Sequence, residues 1–114
     1  AASDVYKRQL IMLRGKNIEN TSGKKLLLDA DWDKLFHLSN AIHGDFITRI
    51  KNDFPTLTKH DIEICCLLRF GIEHEVLGSI FLTETDSVTK AKRRMKKRLN
   101  LSASDDLDVF LLKY

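Results

Sequence analysis

Apolar residues recur at helical spacing along most of the chain. The first broad amphipathic stripe predicts a helix that Asp31 caps and that Gly44 loosens or breaks. Phe54 ends this segment, because the residue before Pro55 disfavours the helical basin. The stripe consists of Trp32, Leu35, Phe36, Ile42, Phe46, Ile47 and Ile50.

Two shorter helices are predicted after Pro55. Thr58 caps the first, with Asp61 as the acid of a capping box, and Gly71 ends it in a left-handed conformation. The second is predicted over residues 73–81. The inward positions are Ile62, Ile64, Cys65, Leu67 and Leu68 in the first helix and Val76, Leu77 and Ile80 in the second.

The next helix, predicted over about residues 85–99, combines an apolar seam with dense positive charge. Seven of the nine residues from Lys90 to Arg98 are basic and none is acidic. Residues 83–86 offer hydroxyls for its N-cap and acids for its first turn, and Asn100 closes it. Because the seam and the charges lie on opposite faces, one side can pack on a core while the other meets a polyanion. The seam is Val88, Met95 and Leu99, and the opposite face is Asp86, Thr89, Lys90, Arg93 and Lys97.

A last helix is predicted to open at Ser102 or Ser104. It carries Leu107, Val109, Phe110, Leu111 and Leu112. No alternating pattern indicates a β-hairpin. The periodicity therefore predicts an all-α fold, a small helical bundle.

Residues 1–30 are interpreted as a linker or the end of an upstream region. Residues 3–9 resemble translated adapter sequence at the end of an assembled fragment, so they are left uninterpreted and the protein is expected to begin further upstream. The stretch 15–25 is rich in Asn, Ser, Thr, Gly and Lys, a composition typical of a linker. Residues 31–114 are expected to form one helical domain.

The net charge of +3 hides a strong segregation, because the block from Lys90 to Arg98 carries +7 and the remaining residues are net acidic. Adjacent Cys65 and Cys66 cannot close a useful disulfide loop and lack zinc spacing, so they are interpreted as reduced core thiols. No apolar run is long enough for a membrane helix and no signal peptide is recognisable. We therefore expect a cytoplasmic fragment.

Little in the sequence indicates catalysis. The four histidines show no metal-binding pair and are interpreted as surface or capping residues. Neither paired carboxylates nor a glycine-rich phosphate loop occurs. We expect no enzymatic activity, catalytic residue, cofactor, metal site or small-molecule substrate, and we assign Trp32 and Phe36 to the core rather than to a ligand cage.

A set of motif residues, in a defined order along positions 31–113, resembles one family of DNA-binding domains. The resemblance is carried by Phe54–Thr58, Ile64, Cys65, Leu67–Arg69, Gly71, Asp86–Val88, Lys90–Lys92 and Arg94–Leu101, with Trp32, Phe36, Phe46, Ile47 and Ile50 upstream and Asp106, Leu107, Phe110 and Leu111 downstream. They resemble the LuxR/NarL-type helix-turn-helix found at the C-terminus of Bacteroidetes transcription regulators.

The resemblance implies a four-helix DNA-binding effector domain, here with an extra N-terminal amphipathic helix. Such a domain binds double-stranded DNA, often as a homodimer, and some relatives contact RNA polymerase. In this group it commonly follows tetratricopeptide repeats, a membrane helix and a coiled coil, so the resemblance also implies that the full-length protein can be membrane-anchored upstream.

The resemblance further implies which residues meet DNA. Base-facing positions fall on Thr89, Lys90 and Arg93. Lys97 lies one turn further along and would meet a phosphate, and Thr58 matches a threonine that can bind the DNA backbone. The full candidate set is Thr58, Ser87, Thr89, Lys90, Arg93, Arg94, Lys96 and Lys97.

Five positions depart from the family pattern. Gly78 stands where alanine is usual and is expected to weaken its helix by ~1 kcal/mol. Glu73 and Glu75 lie where acids would repel phosphate. Asp61 replaces the usual glutamate, and Lys92 occupies a position that is often apolar, so its stem is expected to run along the edge of the core.

The basic run has two other interpretations. A solvated or lipid-facing helix is disfavoured, because like charges at i, i+4 spacing destabilise a helix and a membrane-surface helix would carry bulky aromatic residues. A protein-interaction module of the same fold stays open. It would dock an acidic partner or RNA polymerase, in the manner of region four of sigma factors. That region has a similar fold.

Overall fold

The computed structural model describes residues 27–114, and those residues form helices without any strand. The expectation of an all-α bundle is confirmed. The predicted linker over 15–25 and all of residues 1–26 lie outside the described residues. In chain order the helices are α1 (Asp29–Ile42), α2 (Phe46–Asp53), α3 (Lys59–Arg69), α4 (His74–Ile80), α5 (Thr85–Arg98) and α6 (Leu107–Lys113).

Helix α3 is the centre of the bundle, and α1, α2 and α6 pack against it. Its sequence is apolar on most faces, as expected of a helix surrounded by others. The thiols of Cys65 and Cys66 are fully buried and free. Burial raises the pKa of Cys65 to about 12 and raises that of Cys66 further, so both are protonated at neutral pH. The interpretation as core thiols is confirmed.

The predicted first helix is divided into α1 and α2. Gly44 and Asp45 both have left-handed backbone conformations, with φ of 61° and 58°, and reverse the chain. The side chain of Asn40 stabilises this corner by accepting a hydrogen bond from the N–H of Ile47 at 2.8 Å. The prediction that Asp31 is the N-cap was wrong, because α1 begins at Asp29 and Asp31 instead accepts from an upstream N–H.

Three helices besides α1 end at a residue in the left-handed conformation. Gly71 follows α3 and Asn100 follows α5, with φ of 81° and 60°. After α3, the N–H of Ile72 donates to the carbonyl of Leu67 at 3.0 Å, so an otherwise orphaned carbonyl is satisfied. Both helix-closing predictions are confirmed. Leu82 follows α4 with φ of 53°, an unexpected residue type for this conformation.

Two helix starts differ from the predictions. Helix α5 has Glu84 at its N-cap with no side-chain hydrogen bond, whereas a hydroxyl cap was expected. Helix α6 begins at Leu107 rather than after Ser102 or Ser104. Its cap is Asp106, whose carboxylate accepts from a backbone N–H of the first turn. A carboxylate at the N-terminus of a helix also interacts favourably with the helix macrodipole.

Candidate nucleic-acid interface

Helices α4 and α5 pack against each other and are joined by a tight turn. Gly78 of α4 is buried against this turn, and its carbonyl accepts from the N–H of Thr83 at 2.9 Å. A Cβ atom at Gly78 would lie 3.0 Å from the carbonyl oxygen of Thr83. The sequence predicted only a weaker helix here. The structure adds that the missing side chain lets the turn approach α4 and so sets where α5 begins.

The inner face of α5 is apolar, as predicted. Val88, Met95 and Leu99 are buried, and Ala91 adds a fourth buried position between them. This seam holds α5 on the bundle while its long polar side chains stay outside. The predicted separation into an apolar and a basic face is therefore confirmed.

One cation of α5 is tied to α3. Arg98 Nη1 lies 2.6 Å from Asp61 Oδ2, and the Asp61 residue is only 3% exposed. The same carboxylate accepts from the N–H of Thr58 at 2.9 Å, and the Thr58 hydroxyl accepts from the N–H of Asp61 at 3.1 Å. The predicted capping box is confirmed. It also connects the first turn of α3 to the last turn of α5.

Two further cations are held on the side of α5 that faces α6. Lys92 Nζ lies 3.0 Å from Asp108 Oδ1, and the Lys92 side chain is 14% exposed. Lys96 Nζ donates to the carbonyl of Ala103 at 3.3 Å. The expectation that the stem of Lys92 follows the core edge agrees with this burial. These two ammonium groups therefore stabilise the α5–α6 loop.

The remaining cations face solvent. Lys90 forms an exposed ion pair with Asp86 at 3.5 Å. Arg93, Arg94 and Lys97 are exposed, and no carboxylate within residues 27–114 pairs with them. Of the seven positive residues, these three are the ones available to an external anion.

Thr89, Arg93 and Lys97 line one side of a cleft of ≈ 610 Å³ between α5 and the loop that leads to α6. The opposite side carries Asp105 and Asp106. Nearby hydrogen bonds from one serine of the loop, and then a lysine of α5, hold the pKa of Asp105 below its usual value. The acids reduce the positive potential at this edge, an effect that the local charge pattern did not indicate.

Ser87 and Arg94 line a second groove, of ≈ 570 Å³, on the other side of α5. Trp32 and Phe81 line the same groove, and their rings are stacked 5.8 Å apart at 11°. Trp32 is 5% exposed, which confirms its assignment to the core. The candidate residues of α5 therefore divide between two flanks of one exposed face. Thr58 is exposed at the start of α3.

A histidine from α4 reaches the start of α5. His74 Nε2 lies 3.2 Å from Thr89 Oγ1 and 3.3 Å from the carbonyl oxygen of Thr85. The Thr89 hydroxyl donates to that same carbonyl at 3.1 Å. Sequence reasoning assigned His74 to the surface and missed this contact, because the two residues are 15 positions apart.

Within the described part of the chain, no cluster of histidine, cysteine or carboxylate side chains is arranged to hold a metal ion. None of the helices over residues 27–114 is both long enough and apolar enough to cross a membrane. Comparison of the sequence with models of protein families, with curated proteins and with solved structures gave no match.

Proposed function

We propose that residues 31–114 are a LuxR/NarL-type helix-turn-helix domain of a transcription regulator, and that α5 binds in the major groove of double-stranded DNA. The observation that supports this most directly is the exposed face of α5. Arg93, Arg94 and Lys97 lie there without an acidic partner among the described residues, above a seam that is fully packed. Clustered cations on one face of a helix are the electrostatic footprint of nucleic-acid binding.

The dimensions of α5 suit this role. Fourteen residues span about 21 Å, and a helix with its side chains is about 10–12 Å wide, close to the width of the major groove. Arg93 is placed to bind guanine through both of its terminal nitrogens, whereas Lys90 and Lys97 suit phosphates or single acceptors. Ser87 and Arg94 would contact the backbone on one side, and Lys96 would do so on the other side by leaving the carbonyl of Ala103.

The start of α3 supplies a second contact in this proposal. Thr58 is exposed at the N-cap, where free N–H groups and the helix dipole favour a phosphate. Its hydroxyl and its own N–H are both used within the capping box, so the contact would depend on the backbone N–H groups of Lys59 and His60 in the first turn of α3. The Arg98–Asp61 pair fixes α3 relative to α5, so both contacts would be held in register.

Acidic residues near the proposed interface oppose binding by repelling phosphate, and salt weakens this repulsion. Glu73 and Glu75 are exposed at the start of α4, and Asp105 and Asp106 lie beside the cleft. A homodimer on DNA would double the favourable contacts. We therefore expect selection from a random pool to enrich a site with two-fold symmetry.

The test is fluorescence anisotropy with the full chain and a randomised duplex pool, titrated at several salt concentrations, followed by sequencing of the bound fraction. Lys97→Gln and Lys92→Gln form a matched pair, since each removes one positive charge. Lys97→Gln should reduce the slope of log K against log salt by about 0.9 per protomer. Lys92→Gln should change it by less than half of that, because Lys92 is held by Asp108.

Arg93→Ala should relax the base preference at one position and cost on the order of 1–3 kcal/mol of binding free energy. Absence of binding even at low salt would refute the proposal. The alternative would then be a module of the same fold whose basic face docks an acidic protein segment or RNA polymerase, with loss of that partner in Arg93→Ala and no cognate DNA.

A further inference from the structure

The contact between His74 and Thr89 determines what Thr89 can offer to a ligand. Three polar atoms meet at this point: His74 Nε2, the Thr89 hydroxyl and the carbonyl oxygen of Thr85. Every pair among them lies between 3.1 and 3.3 Å apart. Thr85 is the first residue of α5, and His74 and Thr89 line the cleft described above together with Arg93.

The pattern of distances assigns the proton on the imidazole. A carbonyl oxygen accepts hydrogen bonds and cannot donate them. The 3.3 Å contact between His74 Nε2 and the Thr85 carbonyl oxygen is therefore favourable only when Nε2 carries a hydrogen. That N–H then donates towards Thr85 O and Thr89 Oγ1. The Thr89 hydroxyl must in turn direct its own hydrogen to Thr85 O, at 3.1 Å. The assignment rests on the hydrogen-bond network.

In this arrangement both the hydrogen and one lone pair of the Thr89 hydroxyl are used within the protein. To donate to guanine or to thymine O4, the side chain would have to give up its bond to Thr85, and His74 would lose an acceptor. Without that loss, Thr89 can offer its methyl and the second lone pair of its hydroxyl, which accepts but cannot donate. The base edge that matches a methyl group is the C5-methyl of thymine.

We propose that His74 is a positioning residue that holds the Thr89 hydroxyl inside the protein, so that α5 presents the Thr89 methyl to a thymine in the major groove. This inference rests on the proposed function. It adds a base preference that depends on a residue of α4, outside α5 itself.

The experiment uses the wild-type chain and the duplex enriched in the selection above, with each thymine replaced in turn by deoxyuridine, which lacks only the C5-methyl. Each replacement that removes one contacted methyl should weaken binding about four-fold, the value of burying one methyl group. Thr89→Val keeps a methyl and removes the hydroxyl, whereas Thr89→Ser does the reverse. Thr89→Val should retain this sensitivity to deoxyuridine, whereas Thr89→Ser should lose about four-fold per protomer on the thymine duplex and show no additional loss on the deoxyuridine duplex.

Variants of His74 test the positioning role. In Gln, the side-chain N–H occupies a place similar to that of Nε2, so His74→Gln should keep the thymine preference. His74→Ala frees the Thr89 hydroxyl and should broaden the preference at that base without abolishing binding. If His74 had only a structural role, His74→Ala would change the overall affinity for DNA and leave the base preference unaltered.

A measurement without DNA separates the two proposals. Imidazole ¹⁵N shifts of the free chain should show hydrogen on Nε2 of His74, with a change on Thr89→Val. If the shifts agree but no duplex binds, the proposed function has failed, and the base preference fails with it. If duplexes bind and deoxyuridine has no effect, or if Thr89→Val loses affinity while Thr89→Ser does not, only the present inference is overturned.

Discussion

The ion pair between Arg98 and Asp61 joins the two helices that carry the proposed DNA contacts, and its removal should be costly. The Asp61 side chain is 4% exposed and the Arg98 side chain 33% exposed. Loss of the arginine leaves a carboxylate that water barely reaches. Loss of the carboxylate leaves a guanidinium that can rehydrate in part. The two single substitutions should therefore have unequal effects.

The magnitudes follow from this asymmetry. Arg98→Met should lower the free energy of unfolding by about 3 kcal/mol, the lower part of the range for breaking a buried pair. Asp61→Asn keeps an acceptor for the N–H of Thr58 and should cost about 2 kcal/mol. With both groups gone, no charge is left unpaired. The double variant should lose about 3 kcal/mol rather than the additive value of about 5 kcal/mol.

Urea unfolding of the full chain, followed by Trp32 fluorescence and by far-ultraviolet circular dichroism, measures these values. Trp32 is buried against Phe81, so its emission reports loss of packing. Lys90→Met is the matched control, because it breaks the exposed pair with Asp86 and should cost less than about 0.5 kcal/mol. The reasoning is refuted if Arg98→Met is no more destabilising than this control, or if the two single effects add.

Three further predictions concern the turn after α4 and one histidine. Leu82→Gly should raise the free energy of unfolding by about 0.5–1 kcal/mol, because it removes left-handed strain from a half-exposed residue. Leu82→Ala should not raise it, and equal urea midpoints for the two variants would contradict this prediction. Gly78→Ala should lower the free energy of unfolding by about 1 kcal/mol despite its better helix propensity, because the added Cβ would crowd the Thr83 carbonyl. A higher Tm than wild type would show that the turn can move to accommodate the Cβ. Burial, and then Arg69, lowers the pKa of His43 from 6.5 to about 4, so its neutral form is favoured in the folded state. The contribution of neutral His43 to the free energy of unfolding is fully present above pH 6.5 and is lost as the pH falls towards 4. The loss should be about 1–2 kcal/mol after allowance for solvent screening. His43→Gln should abolish that part of the pH dependence, and identical profiles in both proteins would argue against it.

The helices themselves could be predicted from the apolar period and from strong end signals. Gly71 and Asn100 both close helices where expected, because each tolerates the left-handed conformation at small cost. Helix starts were harder to locate. Near α6, the predicted caps Ser102 and Ser104 and the observed cap Asp106 lie within five positions, and local propensity does not select among them. Leu82 carries no sequence signal for its conformation, which packing of the turn against α4 imposes.

The candidate site shows the same division between local and distant information. The apolar seam of α5 follows from spacing within one helix, and it was predicted correctly. The partners of the basic residues did not follow, because Asp61 is 37 positions from Arg98 and Asp108 is 16 positions from Lys92. A count of charges in the sequence treats all seven cations as equivalent. Tertiary pairing separates them into groups that stabilise the bundle and groups that face solvent.

This separation has a measurable consequence for the proposed DNA binding. If all seven cations neutralised phosphates, the salt slope would be about −6 per protomer. Arg94 and Lys97, which have no acidic partner among the described residues and are proposed to contact phosphates, predict about −1.8 per protomer and about −3.6 for a dimer. Arg93 would add about −0.9 per protomer only by leaving guanine for a phosphate. Lys90 would add to it only by leaving its pair with Asp86. A slope near the larger figure would mean that Lys92, Lys96 and Arg98 give up their partners on DNA. The contacts of α5 with α3 and with the α6 side of the bundle would then have to loosen, and Arg98→Met measures the cost on the α3 side.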